Sequence, residues 1–283
     1  MNILIFGASG YIGRHLVEYL QTNTVAALSM PTRRGGGPDL LKISELSDYF
    51  TYRNFDLIIN ATGSLPHKYS YEVSLDINWC GSANIISALA STGKSIPLIH
   101  LSSATELLKY GKTESEYSDS KLAGFHNLVK VSEWYPTPVV RVILHNVIGA
   151  DEGSRGFPQL LMMSAKYSLP IEIKHPRRVR DFVWIDDCLA ALTNVIQKVC
   201  LKWQLGSLPQ FSEYTIGTGK GVSLMEFANL VYSYVGADPR LITCRYDYLD
   251  EFEYNVASEA DISTILCLTP ISKIVSNFYG GSI

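Results

Sequence analysis

The sequence lacks the features that mark several large classes of protein. No apolar run approaches the roughly 18 residues that a membrane span requires, so we expect no transmembrane helix and no membrane partner. Lysine and arginine number 24 against 27 aspartate and glutamate, a balance that offers no basic surface for nucleic acid. The first residues, MNILIFG, carry neither the basic segment nor the cleavage site of a signal peptide.

Cysteine is also scarce and irregularly placed. The 5 cysteines form no Cys-x-x-Cys pair and no metal-like cluster, which argues against a disulfide framework and against a metal site. An odd, scattered set of cysteines is typical of a protein of the reducing cytoplasm. We therefore expect a cytoplasmic protein that holds no metal.

Apolar runs of strand length alternate with helical patterns in the first half of the chain. A length of 283 residues suggests one large domain or two closely associated ones. The patterns predict strands at 3–7, 25–30, 56–62, 97–103 and 139–149, and helices at 11–21, 40–50, 76–92 and 117–134. Because the strands are continuously apolar, helices should cover both faces of the sheet. The fold class is therefore α/β, with a Rossmann-type doubly wound parallel sheet.

The pattern loosens after Gly149, where the segment 150–180 mixes glycine, proline and arginine. We expect residues 1–149 to form a dinucleotide-binding Rossmann domain, and residues 182–216 to cross back into it. Residues 150–181 and 217–283 are then expected to form a smaller C-terminal substrate-binding lobe.

The first strand leads into a glycine-rich turn, GASGYIG, which spans Gly7 to Gly13. Gly7 permits a tight turn, Gly10 lets the backbone approach a pyrophosphate, and Gly13 lets the following helix pack against the sheet. The N-terminus of that helix would face the anion. Since the motif lies between a strand and a helix, it predicts a dinucleotide site.

The end of the second strand bears on which dinucleotide binds there. The strand ends at Ser29 and Met30 without a carboxylate, and Arg33 and Arg34 follow. A carboxylate would hold the ribose hydroxyl of NAD, whereas two guanidinium groups can pair with the 2′-phosphate of NADP. The sequence therefore favours NADP(H) over NAD(H). In the alternative interpretation, one or both arginines are solvated loop charges.

The segment YSDSK contains Tyr117 and Lys121, which are four residues apart and share one face of the predicted helix. A nearby ammonium favours ionisation of a phenol, so we expect Lys121 to lower the pKa of Tyr117 and to make it an acid or base near neutrality. The fourth strand ends in HLSSAT, where the hydroxyl of Ser103 or Ser102 is placed to hydrogen-bond a substrate carbonyl. Taken alone, a tyrosine and a lysine four residues apart are common, and the simpler interpretation is that both lie on the surface without a catalytic role.

Six segments, in order along nearly the whole chain, resemble the extended short-chain dehydrogenases/reductases of the NAD-dependent epimerase/dehydratase type. They are GASGYIG, DINWCGSANIISA, HLSSAT, RVILHNVIG, RVRDFVWIDDCLAAL and YTIGTGKGVSLMEFANLV. The run from Glu213 to Leu224 is similar to that of nucleotide-sugar 4-ketoreductases such as the abequose and paratose synthases.

The resemblance implies roles for particular residues. It makes Ser103, Tyr117 and Lys121 the catalytic group, and it places Asn146 and Arg180 at the diphosphate of a nucleotide-sugar substrate. The implied substrate-binding residues are Ser102, Ser103, Asn146 and Arg180. The implied cofactor-binding residues are Gly7, Ser9, Gly10, Tyr11, Ile12, Gly13, Asp39, Leu40, Ala61, Asn78, Tyr117 and Lys121, and the charge argument given above adds Arg33 and Arg34.

Two of these assignments can be weighed against simpler ones. The planar fork of Arg180 suits a pyrophosphate, although a structural pair with Asp181 or Asp187 is the alternative. Family members also carry an arginine about three residues before a late glutamate. Aligned on Glu251, this chain has Tyr248 there, with Arg245 nearby. The family further implies a homodimer formed through the helices at 76–92 and 117–134.

The family supports several reactions, and departures from its motifs discriminate among them. In 4,6-dehydratases, Asp-Glu follows the catalytic hydroxyl, whereas here Ala104 and Thr105 follow Ser103 and Glu106 comes one position late. Elimination of water is therefore disfavoured. The resemblance favours NADPH-dependent reduction of a nucleotide-linked 4-keto-6-deoxysugar. The alternatives are an epimerase with tightly bound NAD and a non-catalytic NAD(P)-binding sensor.

Overall fold

The computed structural model describes residues 1–64, 71–107, 116–150, 156–246, 253–258 and 264–280. Its strands are β1 Asn2–Phe6, β2 Ala27–Ser29, β3 Leu57–Asn60, β4 Leu98–Ser103, β5 Val139–Leu144, β6 Asn146–Ile148, β7 Ile171–Lys174, β8 Val179–Trp184, β9 Phe211–Gly217, β10 Gly221–Ser223, β11 Ile242–Arg245, β12 Tyr254–Asn255 and β13 Thr264–Leu266. Its helices are α1 Tyr11–Asn23, α2 Ile43–Thr51, α3 Tyr71–Ser91, α4 Glu116–Ser132, α5 Phe157–Lys166, α6 Ile185–Gln204, α7 Leu224–Val235 and α8 Ile271–Phe278. Short 3₁₀ helices lie at Arg33–Gly35, Ala104–Leu107 and Pro239–Leu241.

Seven strands form a parallel sheet in the order β13-β9-β5-β4-β3-β1-β2. The strands β1, β3 and β5 are almost entirely buried along their length, as expected for strands covered on both faces. The sheet and its flanking helices confirm the predicted Rossmann-type fold. The chain adds β2 on one side of β1 and then β3, β4 and β5 on the other side, so the strand order reverses between β1 and β3. Sheets of this type bind ligands in the crevice at such a reversal.

Two compact units make up the chain. The first contains residues 1–143 and 192–214, and the second contains residues 144–191 and 215–283. The prediction had residues 182–216 crossing back as one block, but the returning part in the structure is 192–214. The difference arises because β8 pairs with β6, β10 and β12 in a separate small sheet.

The first unit has its core where helices pack on the large sheet. Buried side chains from β1, β3 and β4 meet those of α2, α3 and α4, namely Leu4, Phe6, Leu46, Phe50, Ile58, Ile85, Ile86, Leu89, Leu98 and Leu128. The helices α3 and α4 approach very closely, since a Cβ at Gly124 would lie 2.0 Å from the carbonyl oxygen of Asn78. This contact fixes the position of the N-terminal turns of α4, which carry Tyr117 and Lys121.

The second unit contains two smaller sheets and the helices α5, α7 and α8. Its small sheet has the order β10-β8-β12 with β6 also paired to β8, and β7 pairs with β11. Helix α7 begins with a capping box in which Ser223 and Glu226 bond each other's backbone amides. In the described parts of the chain, no helix is both long enough and apolar enough to cross a membrane.

Candidate active site

The glycine turn after β1 has the geometry that the sequence predicts. Gly7 adopts a φ of +79°, and a Cβ there would lie 2.6 Å from the backbone of Ala61. A Cβ at Gly13 would lie 2.1 Å from the carbonyl oxygen of Gly7. Side chains at either position would therefore push the turn away from β3 or from helix α1.

The turn delivers the N-terminus of α1 to the carboxyl edge of the sheet. Gly10 is the N-cap residue, and no side chain caps the helix. The amide of Gly10 donates to the carbonyl oxygen of Gly7 at 2.9 Å, which closes the turn. An uncapped helix start beside a glycine-rich turn fits the pyrophosphate of a dinucleotide. Ser9 lies in this turn, and Tyr11 and Ile12 are the first two residues of α1.

Beyond β2, the structure brings together two of the predicted cofactor residues. The Nη2 of Arg33 lies 2.7 Å from the Oδ2 of Asp39, with the arginine 74% exposed and the aspartate 13% exposed. Arg34 is exposed on the same 3₁₀ turn. Leu40 lies against the core, and its carbonyl oxygen accepts a hydrogen bond from Asn84 at 2.9 Å.

Asn78 has protein partners at both ends of its amide. Its Nδ2 donates to the carbonyl oxygen of Ser64 at 3.0 Å and to the Oγ of Ser120 at 2.9 Å, while its Oδ1 accepts from the amide of Ser64 at 3.0 Å. The Oγ of Ser120 in turn donates to the carbonyl oxygen of Tyr117 at 2.9 Å. In this structure, Asn78 therefore ties the segment after β3 to the start of α4.

The predicted catalytic residues meet at the carboxyl end of β4. The side chain of Ser103 lies near enough to the Tyr117 phenol to lower its pKa as a hydrogen-bonding neighbour. Ser103 also shares a hydrogen bond of 2.9 Å with the hydroxyl of Thr105. Lys121 is buried, and its Nζ donates to the carbonyl oxygen of Leu101 at 3.2 Å.

The pKa of Tyr117 departs from the prediction. Burial, together with the negative charge of Glu106, raises this pKa to about 12, although the hydrogen bond from Ser103 opposes the increase. Burial also lowers the pKa of Lys121, with Arg141 acting in the same direction and Glu106 against it. The expected lowering of the Tyr117 pKa by Lys121 is not seen in this structure, where burial of the phenol is the largest cause of the shift.

A buried ion pair that the sequence analysis did not single out lies beneath these residues. Glu106 accepts from the Nη2 of Arg141 at 2.7 Å, from the hydroxyl of Ser102 at 2.5 Å and from the amide of Ser103 at 3.0 Å. Ser102 also accepts from the Nε of Arg141 at 2.9 Å. The hydrogen of the Ser102 hydroxyl is thus directed at Glu106, which does not support its predicted contact with substrate. An arginine inside the apolar run VVRVIL was the available sequence signal, because buried charges need partners.

In the second unit, Arg180 and Asn146 lie on neighbouring paired strands, β8 and β6. Arg180 donates to the carbonyl oxygen of Val179 at 3.0 Å and forms an ion pair with Glu253. The alternative prediction placed a carboxylate beside Arg180 but named Asp181 or Asp187. No local pattern indicates Glu253, which lies 73 residues further along the chain. Tyr248 and Glu251 fall outside the described residues.

Asp181 is fully buried and binds the loop after β9. Its carboxylate accepts from the amides of Thr218, Gly219 and Ala257 and from the hydroxyl of Thr218. Asn146 donates to the backbone oxygen of Asp181 at 3.1 Å. This arrangement leaves the Asp181 side chain engaged with the backbone and not with Arg180.

His145 lies next to this loop and is 4% exposed. Within the described part of the chain, neither ring nitrogen has a hydrogen-bond partner. Burial lowers the pKa of His145, and the nearby Asp181 only partly opposes that effect. Gly217 allows this close packing, because a Cβ there would lie 3.1 Å from the Cδ2 of His145.

Comparison with known proteins assigns the class. Residues 3–204 match the NAD dependent epimerase/dehydratase family, and the chain belongs to it. The resemblance seen in the sequence is confirmed, and the protein is an NAD(P)-dependent enzyme of this class.

The chain shares less than a quarter of its residues with individual relatives in this family. The chain is 23% identical to CDP-abequose synthase of Salmonella typhimurium over 81% of its own length and 79% of that protein. It is 24% identical to UDP-2-acetamido-2,6-beta-L-arabino-hexul-4-ose reductase of Pseudomonas aeruginosa over 92% of its own length and 69% of that protein. Among solved structures, the Bordetella bronchiseptica enzyme WbmG in complex with NAD has a TM-score of 0.74 at 19% identity, with 99% of this chain and 93% of that chain covered.

Proposed function

We propose that the protein uses NADPH to reduce the 4-keto group of a nucleotide-activated 4-keto-6-deoxysugar, a hexose or a heptose, in deoxysugar biosynthesis for O-antigen or capsule. The observation that carries this proposal is that the side chains of Ser103, at the end of β4, and Tyr117, on α4, lie close enough for Ser103 to act on the phenol. Two adjacent hydroxyls are suited to hold one carbonyl oxygen. The two relatives, a CDP-abequose synthase and a UDP-sugar hexul-4-ose reductase, support reduction.

The proposed chemistry divides between cofactor and protein. The nicotinamide cofactor, when bound, supplies the hydride that adds to the carbonyl carbon. Tyr117 donates its phenolic proton to the carbonyl oxygen, and the product is a secondary alcohol. The tyrosinate then regains a proton from water. Because the pKa of Tyr117 is raised to about 12, the phenol is protonated at neutral pH, as a proton donor must be.

Ser103 and Lys121 have supporting roles in this proposal. The Ser103 hydroxyl orients the carbonyl and stabilises the phenolate that forms after proton transfer. The buried Lys121 ammonium stabilises the same phenolate by its charge and holds the nicotinamide ribose. Burial lowers the pKa of Lys121, and the negative charge of the neighbouring Glu106 opposes this effect.

The position of Glu106 argues against elimination of water. A dehydratase needs an acid and a base free to reach the sugar, whereas Glu106 accepts from Ser102, from the backbone of Ser103 and from Arg141. The carboxylate of Glu106 is therefore occupied by partners within the protein. This supports reduction over dehydration.

The cofactor and substrate assignments extend the proposal. The exposed Arg33 and Arg34 support NADPH, through the 2′-phosphate. In the second unit, Arg180 and Asn146 are proposed to bind the sugar diphosphate, which makes that unit the substrate-binding lobe. Dimerisation through α3 and α4 is also proposed, and the large exposed Trp79 on α3 supports it.

A reductase assay tests the proposal directly. Purified protein is mixed with NADPH and, in turn, with the CDP-, dTDP-, GDP- and UDP-linked 4-keto-6-deoxysugars, with NADH in parallel. Oxidation of NADPH by one substrate, with a matching sugar alcohol identified by mass spectrometry, is the expected result. Absence of oxidation with every substrate, together with NAD that stays bound through purification, would instead establish the epimerase alternative. Absence of both turnover and tightly bound NAD would favour the sensor.

A further inference from the structure

Glu106 and Arg141 form an ion pair that is buried on both sides. Their side chains are 0% and 5% exposed, and the Oε2 of Glu106 lies 2.7 Å from the Nη2 of Arg141. Arg141 comes from the middle of β5, whereas Glu106 comes from the 3₁₀ turn directly after β4. The pair therefore fastens the turn that follows the catalytic serine to the neighbouring strand of the sheet.

Both partners are satisfied beyond the pair itself. The guanidinium of Arg141 also donates to Ser102 at 2.9 Å and to Glu213 at 2.8 Å, and it lies 3.6 Å from the ring centroid of Phe125. Such a planar fork can hold several acceptors in fixed directions. Buried charges with this many partners form rigid networks.

The pair reaches the catalytic group through the backbone. The Oε1 of Glu106 accepts the amide hydrogen of Ser103 at 3.0 Å. The side chain of Ser103 lies near enough to Tyr117 to affect the pKa of the phenol. Any movement of Glu106 would therefore move the backbone that carries the Ser103 hydroxyl.

We propose that Glu106, held by Arg141, is a positioning residue that fixes the Ser103 hydroxyl against Tyr117 and keeps a negative charge beside the tyrosine in its proton-donating form. The expected effect on kcat rests on the proposed carbonyl reduction. The positions of Glu106, Arg141 and Ser103 do not depend on that proposal. Ser103 remains the residue that contacts substrate.

Several charged groups surround Tyr117 and must be considered together. The carboxylate of Glu106 acts from the 3₁₀ turn and raises the pKa of Tyr117. The cations of Lys121 on α4 and Arg141 on β5 face Glu106 and each other. His100 on β4 faces the same two cations, and with burial they hold its pKa well below the usual value, so it adds no charge near neutrality. Glu213 on β9 meets Arg141 from the opposite end of the guanidinium.

The test uses Glu106→Gln in the full chain. The glutamine keeps the size of the side chain but removes the charge, and its amide nitrogen replaces one of the two oxygens that accept from Arg141, Ser102 and the Ser103 amide. Arg141 keeps Glu213 as a partner, so the variant does not strand a buried cation. We expect kcat to fall about 100-fold, as a small misplacement of a reacting group does, while the Kd for NADPH stays within about twofold. A defect confined to kcat separates positioning from a general loss of structure.

The matched control is Glu213→Gln, which removes a carboxylate from the same arginine. Glu213 is 36% exposed, and the acceptor of the Ser103 amide remains in place. We expect kcat within about threefold of the unmodified enzyme, since a partly solvated pair contributes little. An equal loss in both variants would overturn the specific role of Glu106.

A second readout does not require the proposed substrate. Titration of the Tyr117 phenol is followed by NMR of isotope-labelled tyrosine, with Tyr117→Phe used to assign the resonance. We expect ionisation of Tyr117 at lower pH in Glu106→Gln than in the unmodified protein, and no such change in Glu213→Gln. An unchanged titration in Glu106→Gln would overturn the proposal even if no sugar were turned over. Failure of the sugar assay alone would overturn the proposed reaction and not the positioning role.

A double variant covers the case in which Glu106→Gln does not fold. Replacing both partners, with Glu106→Met and Arg141→Met, leaves no unpaired buried charge and is often tolerated. The positioning role predicts a folded protein that binds NADPH but has lost most of kcat. A folded double variant with normal kcat and normal Tyr117 titration would contradict it.

Discussion

Arg180 and Glu253 form an ion pair, so the guanidinium proposed to bind a diphosphate already holds a carboxylate. Arg178 forms a second, longer ion pair with the same carboxylate, with its Nε 3.7 Å from the Oε2 of Glu253. A nucleotide sugar must therefore share or displace Glu253. Burial lowers the pKa of Arg180, and Glu253 opposes this effect by charge and by hydrogen bonding.

We predict that Glu253→Gln tightens the binding of nucleoside diphosphates by about tenfold, equivalent to about 1.4 kcal/mol. The amide no longer competes for Arg180 by charge and no longer repels the phosphates. Calorimetry with CDP, GDP, UDP and dTDP measures the change. The control is Glu172→Gln, which removes an exposed carboxylate on β7. Weaker binding in Glu253→Gln would mean that the glutamate orients Arg180 instead of competing for it.

Substitution of Gly13 by alanine should damage the cofactor site. The new Cβ would lie 2.1 Å from the carbonyl oxygen of Gly7, which is backbone and has little freedom to move. We expect a loss of about 2 kcal/mol in the free energy of unfolding, the cost of overpacking a tight contact. NADPH binding should weaken by at least about tenfold. Urea denaturation and NADPH fluorescence give the two values.

Gly81→Ala is the matched control for that experiment. It lies within α3, and a Cβ there would meet only the Cδ1 of Leu40, at 3.9 Å. Alanine favours a helix over glycine by about 1 kcal/mol, so stability should be kept or increased. A similar loss in both variants would show that the turn at Gly13 has no special steric requirement.

The two arginines after β2 should contribute unequally to cofactor choice. Arg33 is held at 2.7 Å by Asp39, whereas Arg34 is exposed on the adjacent position of the same turn. We expect Arg34→Ala to weaken NADPH binding by about tenfold, with NADH binding unchanged, because the lost contact is to the 2′-phosphate. Arg33→Ala should have the smaller effect. Fluorescence titrations with both cofactors measure the ratio, and equal losses for NADPH and NADH would exclude 2′-phosphate recognition.

Tyr117→Phe should reduce kcat by roughly 10²-fold to 10⁴-fold, the usual contribution of a positioned general acid. The Kd for NADPH should stay within about twofold, since the ring and its packing remain. With a Tyr117 pKa of about 12, the unmodified enzyme should lose no activity through this group below about pH 10. The pH profile of kcat is the measurement. A near-normal rate in the phenylalanine variant would remove Tyr117 from the mechanism.

His100 should make the fold sensitive to acid. Burial, with the charges of Lys121 and Arg141, holds its pKa well below the model peptide value of 6.5. Below about pH 6.5, the histidine of the unfolded chain binds a proton that the folded chain does not bind, so the free energy of unfolding falls as the pH falls. The slope should approach about 1.4 kcal/mol per pH unit for this one group.

Urea denaturation between pH 7.5 and pH 5 tests this slope. His100→Gln keeps a hydrogen-bonding side chain opposite Ser82, whose Oγ lies 2.8 Å from the Nδ1 of His100, and it should flatten the slope. His126→Gln, on the exposed face of α4, is the control and should not. If the variant at position 100 kept the full slope, the acid sensitivity would have another origin.

Local sequence determined the elements that need only near neighbours. Apolar runs of strand length are enough to specify β1, β3 and β4, because their residues are buried wherever they pair. The glycine turn from Gly7 to Gly13 depends on contacts within a few residues, apart from that with Ala61. Tyr117 and Lys121 share a helix, so their spacing alone put both on one face. The family followed from the order of such segments.

Tertiary structure decided everything that joins distant parts of the chain. The run from 139 to 149 was predicted as one strand, yet it divides into β5 in the large sheet and β6 beside β8. The partners of Arg141 and Arg180, namely Glu106, Glu213 and Glu253, lie from 35 to 73 residues away. The pKa of Tyr117 likewise depends on burial and on Glu106. Spacing along a helix cannot predict these features, since a desolvation cost and a buried charge pair exist only once the fold has excluded water from both partners.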